Sequence, residues 1–219
     1  VQRKKNYDKI SVQGLNQFKS FNYDVPGDIS SAAFFIVLTL LSNKSKIIIK
    51  NINVNKSRTG IITILNKMGA NIKLRNRQIY NGEKIANIHV ESRKKLKAIN
   101  CSPNLNSSAI DEFLIIFLVA TKAKGISIFK ELGEMNKKES KRLNLAIKFL
   151  KKIGVKVERF KDDIKIYGNP NLKLYKNYEM KNFLKDHRIF FLSCITALTL
   201  GGKWKINDKD SINTSFPNF

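Results

Sequence analysis

The segment DHRIFFLSCITALTLGG, residues 186–202, places three charged or titratable side chains at the start of a strongly apolar run. Apolar residues dominate from 189 to 200, which predicts a helix that is buried on nearly all sides. Asp186 fits the N-cap of such a helix, because its carboxylate can accept hydrogen bonds from the first free amides. Arg188 does not fit there, since a cation at this end opposes the helix dipole. We therefore expect Arg188 to lie beside an anion.

The chain repeats this plan at intervals of roughly 75 to 80 residues, which indicates a stacked supersecondary unit. The other apolar helices are predicted in SSAAFFIVLTLLSN (30–43) and SSAIDEFLIIFLVATKAKG (107–125). Each is followed by a short strand, a polar loop, an amphipathic helix and two strands, and the third copy begins in the same way. Helices that are apolar nearly all round must be buried, with the sheets outside them. The pattern predicts an α/β (α+β) fold of repeated units around buried parallel helices.

The charge balance is strongly positive, because 41 Lys and Arg residues against 17 Asp and Glu residues give a net charge of +24. Such a charge favours a polyanionic partner, nucleic acid above all. The lysines are spread along the whole chain, as in proteins encoded by AT-rich genomes, and no nucleic-acid-binding motif stands out. A basic protein also suits small substrates that carry several negative charges. A basic nucleic-acid-binding repeat protein therefore stays open as an alternative hypothesis.

The remaining composition predicts a protein of the cytoplasm without a metal site. The two cysteines, Cys101 and Cys194, have neither the spacing of metal ligands nor that of a disulfide framework. No uninterrupted apolar run is long enough to span a bilayer, and no apolar stretch follows the basic N-terminus as in a signal peptide. A Gly-rich dinucleotide fingerprint does not occur. We expect no membrane contact and no cofactor.

Charged residues open three of the predicted helices. Asp111 and Glu112 open the second apolar helix, residues 137–142 open the second amphipathic helix, and residues 186–188 open the third apolar helix. If the units stack with parallel helices, these N-termini meet at one end of the domain. Several positive helix ends that face one cleft favour the binding of an anion.

Side chains of both signs would complete such a site. Lys138, Arg142 and Arg188 supply cations, and arginine binds carboxylate and phosphate groups in a bidentate manner. A carboxylate among these cations keeps its charge and can accept a proton. Structural roles remain open from the spacing alone. Asp111 can be a helix cap, and Lys138, Glu139 and Arg142 can form the solvated start of a helix.

Six segments then occur in a fixed order: VPGDISSAAFFIVLTLL (25–41), SRTGIITILNKMGANI (57–72), IDEFLIIFLVATKAKG (110–125), KKESKRL (137–143), DHRIFFLSCITAL (186–198) and NTSFPNF (213–219). Together they resemble the 5-enolpyruvylshikimate-3-phosphate synthases, which are the 3-phosphoshikimate 1-carboxyvinyltransferases of the shikimate pathway. The combination of IDE-F, KES-R, DHRI and SFP is specific. The resemblance runs from about residue 22 to residue 219.

This resemblance implies a fold of two domains built from βαβαββ units, the inverse α/β barrel of the enolpyruvyl transferases, with the active site between the domains. Residues 1–27 would be the end of the N-terminal-half domain. Residues 28–219 would be the C-terminal-half domain without its last helix. The chain is therefore expected to be a fragment, monomeric, and inactive alone because half of the cleft is missing.

The resemblance also implies a reaction. The enolpyruvyl group of phosphoenolpyruvate moves to the 5-hydroxyl of shikimate-3-phosphate, and phosphate leaves. Asp111 matches the base that accepts the hydroxyl proton and binds shikimate-3-phosphate, and Glu139 matches the carboxylate that transfers the proton at the methylene carbon. Lys138 matches a contact to shikimate-3-phosphate. Both substrates are anionic, which agrees with the basic composition.

The other implied contacts hold phosphoenolpyruvate. Arg142 and Arg188 match the arginines that bind it, and His187 lies next to them as a further binding residue. By itself, His187 would be explained equally well as a structural hydrogen-bonding group. No metal ion or cofactor is implied, so that catalysis would rest on positioning and electrostatics. The two substrates are the expected partners, and nucleic acid is not.

Some residues depart from the family pattern. Lys141 stands where the family usually has Asp, Leu114 stands in place of Pro, and Phe190 and Phe191 stand in place of Ala and Met. The two phenylalanines add bulk to a tightly packed helix, where overpacking has a cost. Within the same fold, a UDP-N-acetylglucosamine enolpyruvyltransferase is the alternative, but those enzymes lack the combination of DHRI and KES-R.

Overall fold

A computed structural model describes residues 2–3, 8–15, 17, 19–92, 95–181, 183, 186–213 and 215–219. The helices are α1 Ile29–Leu41, α2 Gly60–Lys67, α3 Asn106–Ala109, α4 Phe113–Lys122, α5 Arg142–Lys152 and α6 His187–Leu200. Short 3-10 helices cover Pro103–Leu105, Gly133–Lys137 and Lys209–Ile212. The order of helices and strands is mixed throughout, as the repeated pattern predicts.

Within the described residues, the strands form four small sheets. They are β1 Gln2–Arg3, β2 Asp8–Lys9, β3 Lys46–Asn53, β4 Asn71–Tyr80, β5 Glu83–Glu91, β6 Asn100–Cys101, β7 Gly125–Phe129, β8 Val157–Phe160, β9 Asp163–Gly168, β10 Leu174–Met180 and β11 Gly201–Ile206. One sheet has the order β3-β5-β4 and is antiparallel, and another has the order β6-β7-β9-β8. Strands β10 and β11 pair in parallel, and β1 and β2 pair in an antiparallel manner.

The three apolar helices α1, α4 and α6 pack against one another in the centre of the molecule. Every residue of α4 from Phe113 to Thr121 is buried. Ser30, near the start of α1, contacts Glu112 just before α4, whereas Leu41, near the end of α1, lines a cavity together with residues at the ends of α4 and α6. The three helices therefore run in the same direction, as expected for buried parallel helices, and they begin at one end of the molecule.

Two helices begin later in the sequence than predicted. In both cases, candidate site residues lie in the segment just before the helix. The second apolar helix is interrupted by a turn at 110–112, and α4 begins only at Phe113. The short α3 before this turn packs so closely against α2 that a Cβ atom at Gly60 would clash with Ser108. The second amphipathic helix begins at Arg142 rather than at residue 137, so residues 138–141 lie outside it.

Strand β10 is not predicted by the sequence pattern. Buried and exposed residues do not alternate along it as in a typical half-buried strand. Leu174 and Met180 at its two ends are buried, while three residues between them are exposed. The strand is recognisable only from its parallel partner β11, which the sequence does predict. Long-range pairing here overrides a weak local signal.

The bulk of Phe191 is accommodated in an aromatic cluster. Phe191 is 2% exposed, and its ring centroid lies 4.9 Å from that of Phe34 and 4.3 Å from that of Phe219. Phe190 is partly buried against the same core. The side chain of Phe191 therefore fills the space between α6, α1 and the final segment of the chain.

Candidate active site

The turn at 110–112 presents the carboxylate of Asp111 to four cations. Arg58 Nη1 lies 3.5 Å and Arg188 Nη2 lies 3.9 Å from Asp111 Oδ2. Lys138 Nζ lies 3.4 Å and Arg142 Nη1 lies 3.3 Å from Asp111 Oδ1. Arg188 Nη1 also donates to the backbone carbonyl of Asp111 at 2.8 Å. These four cations come from three segments, which meet because the helices begin at the same end.

Arg142 is the most buried of these cations, with 1% of its side chain exposed. Its Nε donates to Asp186 Oδ2 at 3.2 Å, and its Nη2 lies 2.7 Å from Glu139 Oε2. Together with the contact to Asp111, one guanidinium therefore touches three carboxylates. Arginine suits such a place because its planar fork offers donors in several fixed directions.

Asp186 holds the first turn of α6 in place. It is the N-cap of that helix, and its Oδ1 accepts a hydrogen bond from Arg188 N at 2.9 Å, as the sequence predicts. Its Oδ2 accepts a hydrogen bond from Ser140 Oγ at 2.5 Å. Because the same oxygen also accepts from Arg142, Asp186 links the start of α5 to the start of α6.

The cations determine the charge state of Asp111. Burial would raise the pKa of this carboxyl, but the positive charges around it, chiefly those of Arg188 and Lys138, outweigh burial and hold the pKa below its ordinary value. Asp111 is therefore ionised at neutral pH. An ionised carboxylate with both oxygens contacted by cations has a fixed orientation and can receive a proton.

The same surroundings shift the pKa values of two neighbouring groups, Asp186 and His187. Burial would raise the pKa of Asp186, but the hydrogen bond from Ser140 and the charge of Arg142 hold it below its ordinary value. Burial, followed by the charge of Arg188, lowers the pKa of His187, so its imidazole is neutral at pH 7. The His187 ring packs edge-on against Phe191, with 6.0 Å between the ring centroids.

The geometry settles the structural alternatives that the spacing left open. Asp111 does not cap α4, because Glu112 occupies the N-cap position and its side chain makes no capping hydrogen bond. Lys138 and Glu139 do not start α5, and Arg142 is not solvated. Glu139 is 67% exposed, so one face of its carboxylate is open.

Two further residues of this cluster, Ser30 and Arg58, are not found by sequence reasoning, and Glu112 is found there only as a charge at a helix start. Ser30 Oγ donates to Glu112 Oε1 at 2.5 Å, and Arg58 Nη2 donates to Ser30 Oγ at 2.9 Å. The repeat does contain a signal for Arg58. Arg58 lies 11 residues before Gly69 and Arg142 lies 12 residues before Gly154, so the two arginines precede the amphipathic helices at nearly equivalent places.

The described residues contain no group of three or more His, Cys, Asp or Glu side chains that could hold a metal ion. In the same part of the chain, no helix is both long and apolar enough to cross a membrane.

A family model described as EPSP synthase (3-phosphoshikimate 1-carboxyvinyltransferase) matches residues 1–219. The chain belongs to the EPSP synthase family. It is 41% identical over 214 residues to the 3-phosphoshikimate 1-carboxyvinyltransferase of Vesicomyosocius okutanii, a match that covers 98% of this chain and 48% of that protein. It is 37% identical over 210 residues to that of Bacillus pumilus, which covers 96% and 48%. The chain thus spans about half the length of these EPSP synthases.

Solved structures agree with the assignment to the EPSP synthase family. An EPSP synthase from Acinetobacter baumannii superposes with a TM-score of 0.83 at 34% identity, covering 88% of this chain and 44% of that chain. The enolpyruvyl transferase NikO from Streptomyces tendae superposes with a TM-score of 0.64 at 12% identity, covering 86% and 40%. The second likeness shows the fold alone. It confirms the predicted enolpyruvyl transferase-like architecture.

Lys141 allows a test of the helix that carries Arg142. It occupies the N-cap of α5, its side chain makes no capping hydrogen bond, and its charge opposes the helix dipole. Lys141→Asp should raise the free energy of unfolding of the chain by about 1 kcal/mol, measured by urea denaturation. Lys151→Asp, in the last turn of the same helix, is the matched control and should lower it. Equal or lower stability of Lys141→Asp would contradict the capping argument.

Proposed function

We propose that this chain supplies one face of the active site of an EPSP synthase. The reaction moves the enolpyruvyl group of phosphoenolpyruvate onto the 5-hydroxyl of shikimate-3-phosphate and releases phosphate. The observation that carries the proposal is the Asp111 carboxylate, surrounded by Arg58, Lys138, Arg142 and Arg188 at the common start of the buried helices. The guanidinium and ammonium groups of these four residues are donors of the kind that bind carboxylate and phosphate groups.

Arg188 supports the binding of such an anion by its own geometry. Within the described part of the chain, Arg188 Nε is buried and makes no hydrogen bond. A buried donor without an acceptor is costly unless a ligand supplies one. In the proposed complex, the carboxylate or phosphate of phosphoenolpyruvate accepts from Arg188 and from Arg142, and the neutral His187 lies beside them.

The proposed chemistry uses the two carboxylates differently. Asp111 takes the proton of the 5-hydroxyl while that oxygen forms a bond to C2 of phosphoenolpyruvate, and C3 gains a proton by way of Glu139. The tetrahedral intermediate then loses a proton from C3 and phosphate from C2. Lys138, which pairs with Asp111, contacts shikimate-3-phosphate. The exposure of Glu139 suits a group that must meet the substrate from the open side of the cleft.

The organisation of the whole enzyme is part of the proposal. Residues 1–27 belong to the other domain, in line with the boundary before α1, although several of them lie outside the described residues. Residues 28–219 form the body of the C-terminal-half domain. The enzyme acts in the cytoplasm as a monomer, without binding nucleic acid. The chain alone is expected to be inactive, because it spans about half the length of its relatives.

A segment-swap enzyme tests the function. In it, this chain replaces the matching part of the 41% identical relative from Vesicomyosocius okutanii. Release of phosphate from phosphoenolpyruvate should require shikimate-3-phosphate, and the 219-residue chain by itself should release none. A swap enzyme that folds but lacks this activity would contradict the proposal. Salt-dependent binding of generic DNA at physiological ionic strength would favour the nucleic-acid alternative instead.

Arg188→Lys tests the binding of phosphoenolpyruvate. Lysine keeps the charge but cannot reproduce the planar fork of a guanidinium. We expect kcat/KM for phosphoenolpyruvate in the segment-swap enzyme to fall about tenfold or more, while the unfolding midpoint changes little. Arg159→Lys, at a surface pair with Asp162, is the control and should retain full activity. Unchanged kinetics of Arg188→Lys would mean that Arg188 does not hold the substrate.

A further inference from the structure

A hydrogen-bond network connects the buried Glu112, through Ser30 and Arg58, to the carboxylate of Asp111. Ser30 Oγ donates to Glu112 Oε1 at 2.5 Å, and Arg58 Nη2 donates to Ser30 Oγ at 2.9 Å. The other end of the Arg58 guanidinium, Nη1, lies 3.5 Å from Asp111 Oδ2. The Ser30 hydroxyl therefore donates one hydrogen bond and accepts another at the same time. The network ends at Asp111, the proposed catalytic carboxylate.

Within this hydrogen-bond network, the side chains become more exposed from Glu112 to Arg58. Glu112 is 3% and Ser30 is 4% exposed, whereas the side chain of Arg58 is 43% exposed. An arginine this exposed loses side-chain entropy when it is held in one orientation. The two buried residues stabilise that orientation. Burying a carboxylate is itself unfavourable, so the arrangement is not explained by stability alone.

Three charged groups act on the carboxyl group of Glu112. Arg58 precedes α2, Arg188 comes from α6, and Asp111 lies on the same turn. Burial raises the pKa of Glu112, although the hydrogen bond from Ser30 and the charges of Arg188 and Arg58 act in the opposite direction. The carboxylate is thus kept beside Asp111 in spite of its desolvation.

A second acid competes for Arg58. Arg58 Nη2 also lies 3.8 Å from Asp28 Oδ1, and both residues line a cavity of about 400 Å³ in front of α1. Without the acceptor at Ser30, the guanidinium is free to turn towards Asp28 and the solvent. Asp111 Oδ2 would then keep only Arg188, at 3.9 Å, while Oδ1 would keep Lys138 and Arg142.

We propose that Glu112 and Ser30 are positioning residues, which hold Arg58 against Asp111 and so fix the orientation of the carboxylate that receives the substrate proton. This inference rests on the proposed function, since it assigns Asp111 that role. It adds three residues, Ser30, Arg58 and Glu112, to the catalytic arrangement. Only Asp111 among these four meets the reacting atoms.

The first test needs no enzymatic activity. The carboxyl carbons of aspartate are followed by NMR through a pH titration of the 219-residue chain. Ser30→Ala should raise the titration midpoint of Asp111, because the Arg58 guanidinium, 3.5 Å from Asp111 Oδ2, would move away. Ser30→Thr retains the hydroxyl and should restore the midpoint, and Arg159→Lys should leave it unchanged. An unaltered Asp111 midpoint in Ser30→Ala would overturn the proposal.

The second test separates positioning from a structural role. Because the pKa of Glu112 is raised on folding, its contribution to stability is full below its ordinary value, about 4.3, and is lost as the pH rises through the raised value. The glutamine in Glu112→Gln cannot ionise. This variant should therefore resist urea better at pH 8 than the unaltered chain. This advantage should disappear towards pH 4. A purely structural role for Glu112 predicts no accompanying loss of activity.

Positioning predicts the opposite for turnover. In the segment-swap enzyme, Glu112→Leu, which removes the acceptor for Ser30, and Ser30→Ala should lower kcat by about tenfold or more, with KM for both substrates within about threefold. Ser30→Thr should recover most of kcat. Full kcat in both variants would overturn the proposal. If the swap enzyme has no turnover at all, the proposed function fails, and the Asp111 titration still decides whether Ser30 positions Arg58.

Discussion

Arg142→Met should lower the free energy of unfolding of this chain by about 3–5 kcal/mol. The guanidinium is 1% exposed and contacts the carboxylates of Asp111, Glu139 and Asp186. Methionine retains an unbranched apolar stem but removes the guanidinium and with it all three contacts. Asp186, with 1% of its side chain exposed, would be left as a buried charge with its arginine gone. An uncompensated buried charge costs far more than a lost surface pair.

Urea denaturation at pH 7.5 measures this loss, and the pH dependence identifies its cause. The pKa of Asp186 and that of Asp111 are held below their ordinary values, so their contribution to stability is present above about pH 4 and is lost as the pH falls further. The penalty of Arg142→Met should therefore shrink towards pH 4, where an unpaired carboxylate can take up a proton. Arg159→Met, at an exposed pair, should cost less than about 1 kcal/mol.

A second substitution distinguishes lost charge pairing from lost packing. Asp186→Asn removes the buried charge and keeps one oxygen, which can accept from the Arg188 amide, while the Ser140 hydroxyl can turn to accept from the new amide nitrogen. Combined with Arg142→Met, it should restore at least about 1 kcal/mol relative to the sum of the single effects. Additive losses would mean that packing around Arg142, rather than the ion pair with Asp186, determines the cost.

Much of the architecture is predictable from the sequence because burial leaves a simple pattern. The apolar runs that form α1, α4 and α6 have few polar interruptions, and their recurrence along the chain is enough to indicate stacked units. The boundaries of α4 and α5 are not predictable in the same way. The segments before these helices have good helical composition, yet the contacts of Asp111 and Ser140 with other segments hold them outside the helices.

The candidate site is predictable only in part, for a related reason. Charges at helix starts draw attention to Asp111, Arg142 and Arg188, because such charges need an explanation. Ser30 draws none, and Glu112 is noted only as a second charge beside Asp111, since a serine in the first turn and a carboxylate beside another are ordinary helix-start residues. Their role depends on a contact across 82 residues of sequence, which no local pattern records.

Asp111→Asn in the segment-swap enzyme should lower kcat by about 10²–10⁴-fold while KM for both substrates stays within about threefold. Asparagine keeps the shape of the side chain and can still accept from Lys138 and Arg142 with its amide oxygen. It cannot receive the proton of the 5-hydroxyl, so the loss should appear in the step that forms the bond to C2. Steady-state kinetics with varied phosphoenolpyruvate and shikimate-3-phosphate measure both parameters.

The same substitution should act in the opposite direction on anion binding. Replacing Asp111 removes the negative charge that four cations share, so these cations should hold a bound anion more tightly. Calorimetry with the 219-residue chain should therefore give a lower Kd for inorganic phosphate in Asp111→Asn than in the unaltered chain, whereas Asp162→Asn should not change it. If Asp111→Asn instead weakened phosphate binding and left kcat intact, Asp111 would organise the cation cluster without receiving the proton. The loss of a purely structural carboxylate would disturb the cluster and weaken anion binding, but it would not remove a catalytic base.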